Sequence, residues 1–214
     1  MSKYYSKEEV KSILDKNNMY RDKLYCRGFM VTNGITLNLS EYPFYSNWSC
    51  EELPVTNCAR KFYLYLHKDA HAHYYNDGDK TFFIIGHAYN PYKMKWDEDE
   101  ILRDLSVAHQ DGMDRFWDVE SELTGVFCLG YIQADEVIFS TDCAGMQMVY
   151  HGTNNGDLYL ASHSKLVADL FGYKQTDYIR RLTNTRYWHY WGTYLPGDLS
   201  PYAELKRTNP NFYG

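Results

Sequence analysis

The chain has 214 residues, of which 44% are hydrophobic, and a formal net charge of −6. This length allows one large domain or two small ones with a buried core, and the acidic balance without a Lys/Arg cluster argues against nucleic-acid binding. No run approaches the roughly 18 apolar residues of a membrane span, and the polar start is not a signal peptide. We therefore expect a cytoplasmic protein that contacts neither nucleic acid nor membrane.

The cysteines are odd in number, widely spaced and without a Cys-x-x-Cys pair, which indicates reduced thiols in place of a disulfide framework. They are Cys26, Cys50, Cys58, Cys128 and Cys143.

The chain begins with a helix pattern followed by a hairpin pattern. Residues 6–16 carry an apolar stripe behind a capping box formed by Ser6 and Glu9, which predicts a short helix. Residues 25–39 alternate around Asn33-Gly34, a strong signal for a two-residue hairpin turn. This stretch is predicted to be the first strand pair.

Two further strands are predicted in the first half, at residues 62–66 and 81–86. The connection between them contains an Asn-Asp-Gly-Asp turn. Residues 40–60 are rich in turn-forming and aromatic residues and give no assignment. His71 and His73 could bind a metal along one strand face, but no third ligand is near in sequence, so a solvent-exposed loop is the favoured interpretation. We expect no metal and no cofactor.

Two helices follow. Residues 97–109 form an amphipathic pattern with Asp97 as N-cap and Glu100 at the capping-box position. The acidic residues at this start suit the helix dipole and need no ligand. Residues 113–123 are predicted to form the second helix.

The pattern after these helices is a meander of antiparallel strands. Its apolar runs are 126–131, 137–139 and 158–160, with an Asn-Asn-Gly-Asp turn before the last run. Ser162 then opens a predicted helix, and Gly172 follows its last turn.

The C-terminal part begins with a predicted helix at Asp177 that continues into an aromatic run. Helical spacing places these aromatics on more than one side, so they cannot all enter one core. They form a candidate association face: Tyr187, Trp188, Tyr190, Trp191 and Tyr194.

The order of motifs in 122–172 resembles the end of the glutamine amidotransferase domain of the asparagine synthase family. That pattern is Gly-x-Phe, an Asp-x-x-Gly turn, a hydrophobic pair with Tyr, a Gly-containing hairpin and Ala-Ser-x-x-Lys. The matching residues are Gly125, Phe127, Asp142, Gly145, 148–150, Gly156, Ala161, Ser162 and Lys165. The resemblance extends more faintly to Pro210.

This resemblance implies an α+β fold of the N-terminal-nucleophile hydrolase type, a four-layer αββα sandwich with two antiparallel sheets between helical layers. The domain would span residues 25–214, and residues 1–24 would be an N-terminal helical extension. Relatives continue into an ATP-pyrophosphatase domain, whose Ser-Gly-Gly-x-Asp loop does not occur in this sequence.

Active relatives use Cys as the mature N-terminal residue, whose thiolate attacks the glutamine amide. Here residue 2 is serine and lies far before the first predicted strand. The better candidate is Cys26, which begins that strand and would be exposed if residues 1–25 were removed. No substrate-binding residue, including the expected clamp arginine, can be placed.

The family's Asn-Gly-Glu-Ile-Tyr-Asn stretch corresponds to residues 85–90, where the oxyanion asparagine is missing. Losing one such donor typically costs on the order of 100- to 1000-fold in rate. We therefore expect a degenerate, non-hydrolytic domain that serves as the structural or docking half of an asparagine-synthase-like, ATP-dependent amide-forming system.

Its partner would be an ATP-pyrophosphatase synthetase domain or protein, or a second copy of the chain. One alternative is a free-standing module whose tyrosine-rich loops 40–60 and 68–80 bind a small molecule or a sugar. Another is an active glutaminase that uses Cys26 after leader removal. Three other polar residues receive structural interpretations: Asp142 caps its turn, and Cys128 and Cys143 are buried and inert.

Overall fold

The structure is a computed structural model that describes residues 6–34, 36–191 and 195–210, with only the backbone of Trp191. Within these ranges the chain is α+β, with seven helices and ten strands in two antiparallel sheets. The helices are α1 (Lys7–Leu14), α2 (Asn18–Arg21), α3 (Glu98–Gln110), α4 (Met113–Ser121), α5 (Ser164–Phe171), α6 (Asp177–Thr183) and α7 (Arg186–Trp191).

The strands divide between a six-stranded and a four-stranded sheet. They are β1 (Phe29–Thr32), β2 (Trp48–Leu53), β3 (Phe62–His67), β4 (Ala72–Asn76), β5 (Thr81–Tyr89), β6 (Thr124–Gln133), β7 (Glu136–Thr141), β8 (Tyr150–Asn154), β9 (Asp157–Ala161) and β10 (Lys206–Arg207). The larger sheet has the order β10-β8-β9-β1-β3-β2, and the smaller has the order β4-β5-β6-β7.

Buried apolar side chains form three clusters. The first contains residues of both sheets, among them Phe29 of β1 and Phe139 of β7. A second joins α3 and α4 to the four-stranded sheet around Phe116, and a third joins α5 to the six-stranded sheet around Met30. Neighbouring residues of β1 enter different clusters because successive side chains of a strand point to opposite faces. All four residues of β1 are therefore buried.

The predicted helices of the first half are confirmed. Ser6 and Glu9 form the reciprocal capping box of α1. The Asp97 side chain accepts hydrogen bonds from two backbone N–H groups at the start of α3. Gly172 is also confirmed as the residue that ends α5, with a left-handed φ of 73°.

The predicted hairpin at Asn33-Gly34 is wrong. β1 ends at Thr32, and its two edges pair with β3 and β9, so no edge remains for a strand from residues 36–39. The Asn33 side chain instead accepts a hydrogen bond from Leu158 N of β9 (2.7 Å). Pairing with strands distant in sequence therefore overrides the local turn signal.

Two strands in the first half of the chain were not predicted. β2 lies in the stretch that gave no assignment and pairs with β3 along its whole length. β4 lies in the predicted loop before the 76–79 turn and pairs with β5, so His73 belongs to a strand. His71 does lie outside a strand and is exposed. β4 is only half-buried, which weakens the alternation that would reveal a strand.

The predicted meander is correct in its strands and wrong in its continuity. β6 and β7 belong to the four-stranded sheet, whereas β8 and β9 belong to the six-stranded sheet. The chain crosses between the sheets at Asp142, whose buried carboxylate accepts hydrogen bonds from Met146 N (2.9 Å) and Gln147 N (2.8 Å). The turn-capping role predicted for Asp142 is thus confirmed, and the turn it caps is the crossover.

The predicted helix start at Ser162 is also corrected. The helix begins at Ser164, because Ser162 is held against β1: Phe29 N donates to its hydroxyl at 2.9 Å.

The aromatic run near the C-terminus is only partly described. Tyr187 and Tyr190 are 64% and 81% exposed, and Trp188 is half-buried. The side chain of Trp191 and all of Tyr194 lie outside the described residues.

All five cysteines are free thiols, as predicted. Cys128 is buried, but Cys143 is exposed, contrary to the prediction for it. None of the helices in the described ranges is long and apolar enough to cross a bilayer.

Candidate functional site

Cys26 lies in a turn at residues 22–27, three residues before β1, so the prediction that it begins the strand is wrong. Its backbone N–H donates to Lys23 O at 3.3 Å. Both neighbours, Tyr25 and Arg27, have left-handed backbone angles (φ 52° and 57°). Left-handed angles are uncommon for residues other than glycine, so the surrounding contacts must hold this turn in place.

A thiol, an imidazole and a carboxylate meet at this turn. Cys26 Sγ lies 3.5 Å from Asp69 Oδ2. His67, the last residue of β3, is fully buried, and its Nδ1 accepts N–H groups from Asp69 (3.1 Å) and Arg27 (3.4 Å). One ligand atom from each of Cys26, His67 and Asp69 lies within 4.8 Å of the others.

The environment of His67 favours its neutral form. Burial lowers the pKa of His67, and the nearby Asp69 carboxylate partly opposes that shift. The ring packs edge-on against Trp48, with centroids 5.8 Å apart. Its Nε2 is buried and has no hydrogen-bond partner among the described residues.

A cavity of about 470 Å³ lies beside this group. It is lined by residues from five places: the turn at 22–27, the segment after β3, strand β5, the start of β6 and the crossover segment. They are Arg27, Asp69, Ala70, His71, Ile85, Gly86, His87, Gly125, Val126 and Gln147. The cavity thus lies where the Cys26 turn and the 85–90 stretch come together.

The backbone at the 85–90 stretch offers no free donor at Gly86. Its N–H donates to His71 O at 2.8 Å. The side chain of Ile85 belongs to the cluster that contains residues of both sheets. His87 is exposed and lies 3.3 Å from the Glu98 carboxylate. The position corresponding to the expected oxyanion donors is therefore occupied by an apolar side chain and a paired amide.

Arg27 is the positively charged residue that sequence reasoning passed over. It lines the cavity and has no ion-pair partner within the described ranges. A guanidinium offers several donors in one plane, which suits a carboxylate or a phosphate. Its position next to Cys26 was visible in the sequence, but the cavity forms only when distant strands meet.

A second polar cluster lies behind the Cys26 turn. Asp169 of α5 is buried, and its carboxylate accepts hydrogen bonds from Tyr25 OH (3.0 Å) and Tyr42 OH and pairs with Lys165. Burial and the Asp169 charge raise the pKa of both tyrosines. Lys7 of α1 donates to the backbone oxygen of Asp169 at 2.7 Å. This cluster, which no sequence motif signals, connects α1 to α5.

His163 lies beside Tyr25 of the second cluster, and its charge would also interact with that of His67. The His163 Nδ1 lies 2.8 Å from Ser162 Oγ, and the His163 ring lies 5.2 Å from the ring of Tyr25. Burial lowers the pKa of His163 to about 4, because charging a buried imidazole is unfavourable.

This pKa predicts a loss of stability in mild acid. Between about pH 6.5 and pH 4 the unfolded chain binds a proton at His163 that the folded chain does not, so the free energy of unfolding falls as pH falls. From neutral pH to about pH 5 this site should contribute a loss of about 2 kcal/mol. Urea unfolding at both pH values measures it. His163→Gln should depend less on pH, and an unchanged pH dependence in that variant would contradict the assignment.

No family model and no curated protein matches this sequence. Among solved structures, 16 chains are similar. One is glutamine phosphoribosylpyrophosphate amidotransferase from B. subtilis, complexed with ADP and GMP, with a TM-score of 0.44 and 10% identity. The similarity covers 68% of this chain and 43% of that chain, so this chain spans less than half of that enzyme. Similarity at this level defines neither the fold nor the function of the chain.

Proposed function

We propose that the chain is an amidotransferase-like domain that does not hydrolyse glutamine and acts as the structural or docking half of an asparagine-synthase-like, ATP-dependent amide-forming system. The motif order from Gly125 to Lys165 supports the family assignment. The three apolar clusters support a four-layer αββα arrangement, because each cluster contains residues of adjacent layers.

The observation that carries the loss of hydrolysis is the state of the 85–90 stretch. Glutamine hydrolysis needs donors directed at the oxyanion of a tetrahedral intermediate. Ile85 is buried in the core, and the Gly86 N–H is bonded to His71 O. Neither group can stabilise a developing negative charge in the cavity without breaking native contacts.

The position of Cys26 also supports the loss of glutamine hydrolysis. Its amide nitrogen belongs to a peptide bond and donates within a turn, so it cannot act as the α-amino base that an N-terminal nucleophile needs. In the proposed extension, the described residues 6–24 are attached to the remaining chain by the hydrogen bond from Lys7 to the backbone oxygen of Asp169, and their Leu14 is buried.

The docking partner in this proposal is an ATP-pyrophosphatase synthetase domain or protein, with self-association as the alternative. The exposed rings of Tyr187 and Tyr190 on α7 support a contact face there, because large exposed aromatics favour interfaces.

A second candidate function is the binding of a small molecule, and the cavity beside Arg27 favours it. Segment 68–80 contributes Asp69, Ala70 and His71 to the lining, whereas loop 40–60 contributes no residue to it. An anionic group suits the cavity better than a neutral sugar, since Arg27 has no ion-pair partner in the described part of the chain.

The test is ammonia release from glutamine by the purified chain. We expect no release above buffer, and Cys26→Ala should change nothing, because the thiol performs no chemistry. Intact-mass measurement should find residues 1–25 retained. Glutaminase activity that disappears in Cys26→Ala, together with a species beginning at Cys26, would establish the processed-enzyme alternative and end this proposal.

A further inference from the structure

We propose that Cys26, His67 and Asp69 bind a divalent transition-metal ion of the zinc type. One ligand atom from each residue lies within 4.8 Å of the others. In a tetrahedral zinc site with the usual bond lengths, a sulfur and an oxygen ligand lie roughly 3.5 Å apart. The distance from Cys26 Sγ to Asp69 Oδ2 is 3.5 Å. Two of the three ligands therefore already have the separation that a shared ion requires.

To bind the ion, the His67 imidazole would exchange the hydrogen bonds at its Nδ1 for a bond to the metal. Its Nδ1 lies 3.9 Å from Asp69 Oδ2, and it accepts backbone N–H groups from Asp69 and Arg27. These bonds keep Nδ1 free of a proton and turned toward the thiol and the carboxylate. An ion would replace them, and water can satisfy the released amides because both residues are exposed.

The two ring nitrogens of His67 have different surroundings, and the proposed ion would contact Nδ1. Its side chain is fully buried, yet Nε2 has no hydrogen-bond partner in the part of the chain that the structure describes. Because Nδ1 accepts N–H groups from Asp69 and Arg27, the neutral ring carries its proton on Nε2. Nδ1 is therefore the nitrogen whose lone pair an ion can use, and it is the one that faces Asp69.

The chemistry of the three ligands selects the ion. Thiolate and imidazole favour zinc and related metals over magnesium and calcium, which prefer oxygen ligands. The negative charges of one thiolate and one carboxylate together balance the 2+ charge of the metal ion. Three protein ligands leave a fourth position, and Asp69 and Arg27 also line the cavity of about 470 Å³. Exogenous water or an anionic group entering from that cavity would complete the tetrahedron.

This inference stands apart from the proposed function. A metal-bound sulfur at position 26 would not be available as a nucleophile, which agrees with a non-hydrolytic domain. The absence of metal binding would leave the ammonia-release result unaffected, so the two proposals can fail separately.

The test uses the reduced full chain titrated with Co²⁺ alone, followed by Zn²⁺. We expect one equivalent of Co²⁺ to give the intense visible bands of four-coordinate cobalt and a sulfur-to-cobalt charge-transfer band, both lost on adding Zn²⁺. Cys26→Ser should abolish the charge-transfer band, and Asp69→Asn should weaken binding at least about tenfold. Asp69 is exposed, so this variant should fold. The matched control is Cys143→Ser, which removes an exposed thiol elsewhere.

The proposal is overturned if the wild-type chain gives no four-coordinate bands. It is equally overturned if the bands persist in Cys26→Ser, if they depend on Cys143, or if Asp69→Asn binds Co²⁺ as tightly as the wild type.

Discussion

Replacing Asp169 by alanine should lower the free energy of unfolding by about 3 kcal/mol, because two partly buried tyrosine hydroxyls lose their charged acceptor. The Asp169 carboxylate accepts from Tyr25 and Tyr42 and pairs with Lys165. An unpaired buried hydroxyl bears a desolvation cost of about 1–3 kcal/mol, whereas Lys165 can turn toward solvent. Urea unfolding at neutral pH measures the loss.

The matched control is Asp177→Ala. Asp177 also pairs with a basic residue of its own helix, Arg180, but its side chain is 76% exposed. Exposed pairs contribute a median of about 0–1 kcal/mol, so this variant should remain close to wild type. Equal losses in the two variants would show that the tyrosine contacts of Asp169 do not stabilise the fold.

Replacing Gly86 by alanine should cost about 4 kcal/mol or more, because the new methyl group meets the backbone of β6. Gly86 has a φ of 108°, and a Cβ built there lies 2.2 Å from Val126 O. A backbone oxygen in the middle of a sheet cannot move aside as a flexible side chain can. The strands must separate beside the cavity, and the free energy of unfolding, measured in urea, should fall accordingly.

Gly112→Ala separates this clash from the effect of the backbone angle. Gly112 has a similar φ of 115°, but a Cβ there meets nothing within 4 Å. Its substitution should cost only the strain of the angle, about 1–3 kcal/mol. If both variants lose the same free energy, the contact with Val126 O does not limit this position.

Local patterns in the sequence were sufficient for elements whose signals lie within a few residues. The helix boundaries at Ser6, Asp97 and Gly172 rest on caps that form within one turn, and the structure confirms all three. The apolar runs of β3, β5, β6 and β7 were also visible, because a strand buried on one or both faces reads as an apolar segment.

Local sequence patterns could not predict which strands pair with each other. Asn33-Gly34 has the composition of a hairpin turn, yet β1 pairs with β3 and β9. β7 and β8 are neighbours in sequence and lie in different sheets. Which edges pair depends on the burial of whole faces, and that free energy is shared among residues far apart in the chain.

The candidate site shows the same division. Sequence alone determined an α+β chain with reduced thiols, and it singled out Cys26 and the stretch at 85–90. Tertiary structure alone decided that Cys26 lies in a turn against His67 and Asp69, that the Gly86 N–H is already paired, and that Asp169 binds Tyr25. Hydrogen bonds and ligand geometry act over about 3–4 Å, so they exist only after folding has brought distant residues together.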